Sequence, residues 1–310
     1  MQKMAWTEIL GQPLAVRVLQ MHLVQDRIAP AYLFAGPDGV GKRLAARTFA
    51  TALNCERYPD SPCEVCDQCR RIQRGVHPDL HLLAPKGAAD LLRIDDVRAV
   101  VGRVVLRPFM GRFQAVILED ADRLTEEAAN SLLKILEEPP RQTRFILLTA
   151  QPAACLPTIV SRCQVIRFQR LAASLIQRLL EREGHPAEIA RPASLLAGGS
   201  LAKASAFAAG WSAYQPMLAQ VASERPAPWL EWDVPTEREE LSRWLACSVA
   251  WLRDSAVASA RAGTQASRLD RERCIESAMR IAELSDALDR MANPRLVGTL
   301  LREEWLDLVS

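Results

Sequence analysis

The 310-residue sequence has little net charge and no long apolar run. Its 39 basic and 37 acidic side chains leave a formal charge of only +2. No global field therefore draws the chain onto nucleic acid or an anionic membrane, and any DNA contact has to be local or shared with partners. No apolar stretch approaches the roughly 20 residues that span a bilayer, and MQKMAWTEILGQ lacks the basic-then-apolar order of a secretory signal. The expected location is the cytoplasm. Internal repeats and low-complexity segments are also missing. What remains, 49% hydrophobic and 25% charged residues, is the make-up of an ordinary globular protein long enough for two or three domains.

A reducing compartment changes the meaning of the 8 cysteines, because a tight cluster there points to metal before disulfides. Cys55, Cys63, Cys66 and Cys69 follow the spacing C-x7-C-x2-C-x2-C. Four thiolates satisfy the tetrahedral preference of zinc and leave no position open for water, so a structural site pinning a loop is expected. His77 and His81 lie close enough in sequence to substitute, but with four thiolates available they read as ordinary loop and strand residues. Cys155, Cys163, Cys247 and Cys274 are dispersed and read as small buried apolar side chains.

Residues 36–42 carry Gly36-Pro37-Asp38-Gly39-Val40-Gly41-Lys42, the spacing of a loop whose backbone N–H groups and lysine cradle phosphate. AYLFAG before it reads as a buried strand and RLAARTFATALN after it as a helix, which is the context such a loop needs; outside it the motif would be a Gly-rich turn with a solvated lysine. The next residue should be Ser or Thr, whose hydroxyl ligates magnesium, and it is Arg43, which has no lone pair for a metal. A second apolar strand, FQAVILED, ends in Glu119-Asp120. A hydrolysing site would place Asp and then Glu there; the exchanged order leaves either a weak metal contact or no catalytic role, since angstrom-scale misplacement can cost on the order of a hundredfold. RFILLTAQ, a third strand, brings Thr149 to the same end of the sheet.

Strands alternating with helices predict an α/β domain with a parallel sheet covered on both faces, and ligands gather at the carboxyl ends of its strands. A helix is expected over 125–138, with Thr125 as cap, Glu126 and Glu127 in the first turn and Pro139-Pro140 as the stop. Helical spacing also marks residues 8–25, with Gly11-Gln12-Pro13 as a break near the start. Past about residue 170 only helices are expected, with PAPWLEWDVP as a Pro-rich connection. The division that follows is an α/β domain over 1–169 with the cysteine insertion at 55–69, a small helical domain over 170–211 and a helical C-terminal domain over 212–310. Trp229, Trp232, Trp244, Trp251 and Trp305 in the last part read either as subunit-contact anchors or as helical core.

Taken together, the phosphate loop, the four-cysteine insertion, the run Asn130-Ser131-Leu132-Leu133-Lys134-Ile135-Leu136-Glu137-Glu138-Pro139-Pro140 and the triplet Ser161-Arg162-Cys163 resemble the AAA+ subunits of the bacterial sliding-clamp loader over about residues 5–210. The resemblance implies an AAA+ P-loop domain, a small helical lid and an all-α collar for oligomerisation. It implies partners as well: motor subunits of the tau/gamma type and a delta subunit in a hetero-pentamer, acting on the sliding clamp and primed DNA. It identifies Arg162 as a finger that enters the ATP site of a neighbouring subunit; such arginines contribute about 10³ to 10⁵ in rate. Gly36, Gly39, Gly41, Lys42, Arg43, Glu119, Asp120 and Thr149 would line this chain's own degenerate nucleotide site. The motor subunits carry G-K-[ST], D-E and an arginine after G-S-x, where this chain has Arg43, Glu119-Asp120 and Ala202. ATP or ADP binding stays open while hydrolysis is not expected. The rival expectations are a motor-type ATPase and, from another class, a P-loop nucleoside kinase with a zinc-stabilised lid.

Overall fold

In the computed structural model, residues 5–85, 91–221, 227–262, 271–289 and 292–309 are described. Continuous apolar runs become the central strands, because a parallel strand covered on both faces has no place for polar alternation. Strand β1 (Ala31–Ala35) is buried at every residue, and so is β3 (Gln114–Leu118). With β2 (Leu80–Leu83), β4 (Thr143–Thr149) and β5 (Gln164–Arg167) they form one five-stranded sheet in the order β2-β3-β4-β1-β5. Every pairing in it is parallel. The α/β class expected from the sequence is observed.

Five helices of two turns or more, α1 (Pro13–Val24), α2 (Lys42–Leu53), α3 (Asp67–Arg74), α4 (Ile94–Val104) and α5 (Glu126–Glu137), and the short α6 (Pro157–Val160) accompany the sheet. Alternate residues of each strand face opposite sides. Leu33, Val116, Leu118, Phe145 and Leu147 pack with Val97, Val104, Leu132, Leu136 and Ile159 of α4, α5 and α6. Tyr32, one residue along β1, meets Phe49 of α2 edge to face at 5.0 Å on the other side. Thr125 accepts the Ala128 N–H and caps α5 as expected. The first helix begins only at Pro13, whose fixed φ suits a first helical residue. Buried Gln12 before it exchanges two hydrogen bonds with the backbone of Gln169, at 2.7 and 2.8 Å.

Contacts divide the chain into two compact units: Met1–Leu175 with Gly199–Ala202, and Ile176–Gly198 with Lys203–Ser310. The helices after the sheet are α7 (Ala173–Arg182), α8 (Ala187–Leu196), α9 (Leu201–Ala209), α10 (Trp211–Val221), α11 (Ala227–Leu230), α12 (Arg238–Ala262), α13 (Arg271–Asp289) and α14 (Pro294–Val309). In the second unit Trp229 stacks on Trp305 at 4.9 Å and 3°, and both are 0% exposed. Trp232 and Trp244 close around them edge to face. Four of the five tryptophans therefore belong to this unit's own core, with Trp251 half-buried against Trp305. The Pro-rich connection does more than link helices, because Trp229 in α11 sits at the centre of that cluster. Val257, Ile275 and Met279 remain largely exposed along an apolar groove of α12 and α13.

Candidate functional site

The phosphate loop leaves the C-terminal end of β1 and enters α2, with Gly36 N–H donating to Thr149 O of the neighbouring strand at 3.1 Å. Gly39 and Gly41 adopt φ of +69° and +100°, a region open at low cost only to glycine. At Gly39 space matters as well: a Cβ would lie 2.3 Å from Ser200 Oγ and 2.9 Å from the backbone N of Ala202, and Leu201 N–H donates to Gly39 O at 3.0 Å. Ala202 thus packs on the loop.

The loop's polar groups are turned onto the protein. Lys42, buried, donates to Gly36 O, to Pro37 O at 2.8 Å and to Asp38 Oδ1 at 3.2 Å. Arg43 forms an ion pair with Glu119, a carboxylate 8% exposed at the end of β3. Thr149, fully buried at the end of β4, donates its hydroxyl to Asp122 and accepts the Gln151 N–H at 3.0 Å. Asp120 is held at a φ of +50°, and its carboxyl is pushed up by burial and then by the like charges of Asp38, Asp122 and Glu119. The structure gathers all eight predicted loop, acid and threonine positions at one end of the sheet, but Glu119 there faces a guanidinium.

The four cysteines converge. Their Sγ atoms all lie within 4.8 Å of one another, with Cys63 and Cys69 at 3.9 Å. Thiolates 2.3 Å from a tetrahedral ion would be about 3.8 Å apart, so the donor set fits a four-coordinate metal. Cys66 caps α3 by accepting the Cys69 N–H, and Cys63 accepts the Cys66 N–H at 3.3 Å. Burial works against ionising Cys63, but the N–H groups of Val65 and Cys66 and the neighbouring thiols outweigh it and lower the thiol to about 7. Burial raises Cys69 above the ordinary thiol range. His77 is not in the cluster: it accepts the Asp79 N–H on Nδ1 at 3.1 Å and donates from Nε2 to Gln68 Oε1 at 2.5 Å.

Asp79 is a residue that the sequence reading passed over. Buried, it accepts the backbone N–H groups of Phe109, Met110 and Gly111 at 2.6, 2.9 and 2.7 Å. Burial raises its pKa, but these three donors prevail and hold it below the ordinary value. Asp79→Asn is expected to cost about 2–4 kcal/mol, since it replaces a charged acceptor of three hydrogen bonds with a neutral one. A lowered denaturation midpoint at neutral pH would register this. With the folded pKa depressed, the stabilisation is full above about pH 4 and is lost as pH falls through the folded value, so wild type and variant converge in acid.

Arg162 sits elsewhere. It precedes β5, whose first residue Gln164 pairs with Tyr32 near the start of β1, whereas the phosphate loop follows the end of β1. The five-residue strand between them puts the two at opposite ends of the sheet, about 15 Å or more apart along the strand direction. The guanidinium donates to Glu137 Oε1 at 2.6 Å and to Thr158 O at 3.0 Å, and its side chain is 35% exposed.

The family described as "DNA polymerase III, delta subunit" matches residues 11–172, slightly more than half of the chain. This chain belongs to that family. Among curated relatives, the DNA polymerase III subunit delta' of Bacillus subtilis is 39% identical over 184 residues, which is 59% of this chain and 55% of the relative. The subunit tau of Escherichia coli is 37% identical over 196 residues, covering 62% of this chain and 30% of the relative. The chain thus spans about half the length of its delta' relative and less of tau. A solved variant of RuvB from Thermotoga maritima covers 96% of this chain and 90% of its own at 14% identity, with a TM-score of 0.51, and shares the fold. Among the described residues no helix is long and apolar enough to cross a membrane.

Proposed function

We propose that this chain is a delta-prime-type subunit of a bacterial DNA polymerase III clamp loader. It does not hydrolyse ATP itself and supplies Arg162 to the nucleotide site of a neighbouring motor subunit. Similarity to delta' at 39% and to tau at 37% does not by itself separate the two subunit types. The site residues favour the delta-prime type: a motor subunit needs a loop hydroxyl and a free acid for magnesium, and here Arg43 pairs with Glu119. The observation that carries the reading is the place of Arg162. An exposed arginine at the end of the sheet opposite its own phosphate loop lies away from that loop's nucleotide, which supports a role at the site of an adjoining subunit.

In this reading the domains are 1–169, a lid over 170–211 and a collar over 212–310, with the groove at Val257, Ile275 and Met279 available for a subunit contact. Cys55, Cys63, Cys66 and Cys69 hold a structural zinc ion, which when bound neutralises the thiolates and closes the loop before α3. The partners are tau/gamma-type motor subunits, a delta subunit, the clamp and primed DNA, in the cytoplasm. Mixing the purified chain with motor and delta subunits is expected to give one hetero-oligomer in gel filtration, while the chain alone shows no magnesium-dependent ATP turnover. A chain that turns over ATP alone, or stays apart from the ring, overturns the proposal.

A further inference from the structure

The nucleotide loop of such a fold normally gathers a divalent cation from three sources: a hydroxyl at the first turn of the helix, a carboxylate at the end of the adjacent strand and the phosphates. Here those protein sources are engaged or gone. The hydroxyl position is Arg43. The strand-end carboxylate, Glu119, is 8% exposed and ion-paired with that same Arg43. Thr149, the other hydroxyl at this end of the sheet, donates to Asp122.

The site has not lost its negative charge, however. Asp38, Glu119 and Asp122 lie near enough to Asp120 that their like charges push its carboxyl upward in addition to the effect of burial. A buried carboxylate in such company needs a cation, and the choices are a metal ion or a side chain. Lys42 is committed to the carbonyls of Gly36 and Pro37 and to Asp38. Arg43 is the remaining cation of the loop, and its guanidinium reaches Glu119 across 76 residues of sequence.

We propose that Arg43 is a built-in replacement for the divalent cation of this loop: paired with Glu119, it supplies the positive charge that a metal would bring and keeps the site from taking a metal. A metal ion that approached Glu119 would have to compete with a guanidinium that, although its own side chain is 68% exposed, no deprotonation can remove, because arginine stays charged at every accessible pH. The substitution that looks like decay in the sequence is then an exchange of one cation for another. The acid persists because Arg43 still uses it. The inference rests on the non-hydrolysing part of the proposed function; entry of the chain into the hetero-oligomer is tested separately, so a wild-type metal site at Glu119 would overturn this inference and the non-hydrolysing argument without touching the assembly.

The test is direct binding of Mn²⁺ to the zinc-supplied full chain, followed by water-proton relaxation with and without inorganic pyrophosphate. Arg43→Thr creates the missing hydroxyl and releases Glu119 in one step. The expected result is no Mn²⁺ bound at Glu119 in the wild type, and a site at least about tenfold tighter in Arg43→Thr that disappears in Arg43→Thr/Glu119→Gln. A wild-type protein that binds Mn²⁺ through Glu119, shown by loss of that binding in Glu119→Gln alone, overturns the proposal. So does a folded Arg43→Thr variant that gains no site. Should Arg43→Thr not fold, Arg43→Ser with Glu119→Asp offers the same ligands in another geometry, and failure of that folded pair to gain Mn²⁺ also overturns it.

Discussion

Replacing Arg162 by alanine is expected to lower ATP turnover at the neighbouring subunit's site by about 10³-fold or more while leaving the chain folded and the complex assembled. The two halves of that outcome rest on different physics. At the neighbour's site a guanidinium meets charge that develops on the transferred phosphoryl group in a water-poor cleft, where one fixed cation has a large effect. Within this chain the same side chain makes a partly exposed pair with Glu137, and exposed pairs contribute at most about 1 kcal/mol. The structural loss is therefore small: one ion pair and the hydrogen bond to Thr158 O. Turnover should be measured in a complex whose other motor sites are inactivated, so that a single site is read. Glu137→Gln is the informative companion, because it keeps the guanidinium and removes its resting partner. It should assemble and retain most of the turnover if Glu137 only parks the arginine. Unchanged turnover in Arg162→Ala would remove the finger from the proposal.

Stripping the proposed zinc ion from the cysteine cluster is expected to have the second large effect. Structural zinc contributes about 10–16 kcal/mol of apparent binding free energy in small zinc modules at pH 7, nearly all of it coupled to folding of the ligand loop. The region around α3 has little else to hold it, since its buried apolar side chains are Pro62, Cys66, Cys69 and Ile72. Metal analysis should find one zinc ion per chain. Chelation, or Cys69→Ser, should open residues 55–75 to proteolysis while the sheet stays folded on its own larger core. The loss should spread to one further place: Gln68 on α3 donates to Met110 O at 3.0 Å and accepts from His77, so the segment held by Asp79 loses a support. Protons compete with the metal for thiolates, so zinc release increases as pH falls, and no metal under chelator-free conditions would refute the site.

What the sequence carried by itself was everything written in local spacing. Gly36 to Lys42 between an apolar run and a helix, the cap of Thr125 on α5, the Cys55 to Cys69 spacing and the three central strands each depend on neighbours within a few residues, where periodicity and turn chemistry act. The edge strands β2 and β5 were less legible than the central three, because an edge is covered on fewer sides and so tolerates polar residues such as His81 and Arg167 that break the apolar run. The tertiary structure alone decided which charges meet. Arg43 finds Glu119, Asp79 gathers three N–H groups about thirty residues away, and Arg162 faces away from the loop of its own chain. It decided, too, that four of the five C-terminal tryptophans fill a core, since composition states how much apolar surface must be buried but not against what. The physical reason is common to all of these: a pair distant in sequence has no local signature, and its geometry exists only once the backbone pairing of the sheet and the packing of the helices have brought the two ends together.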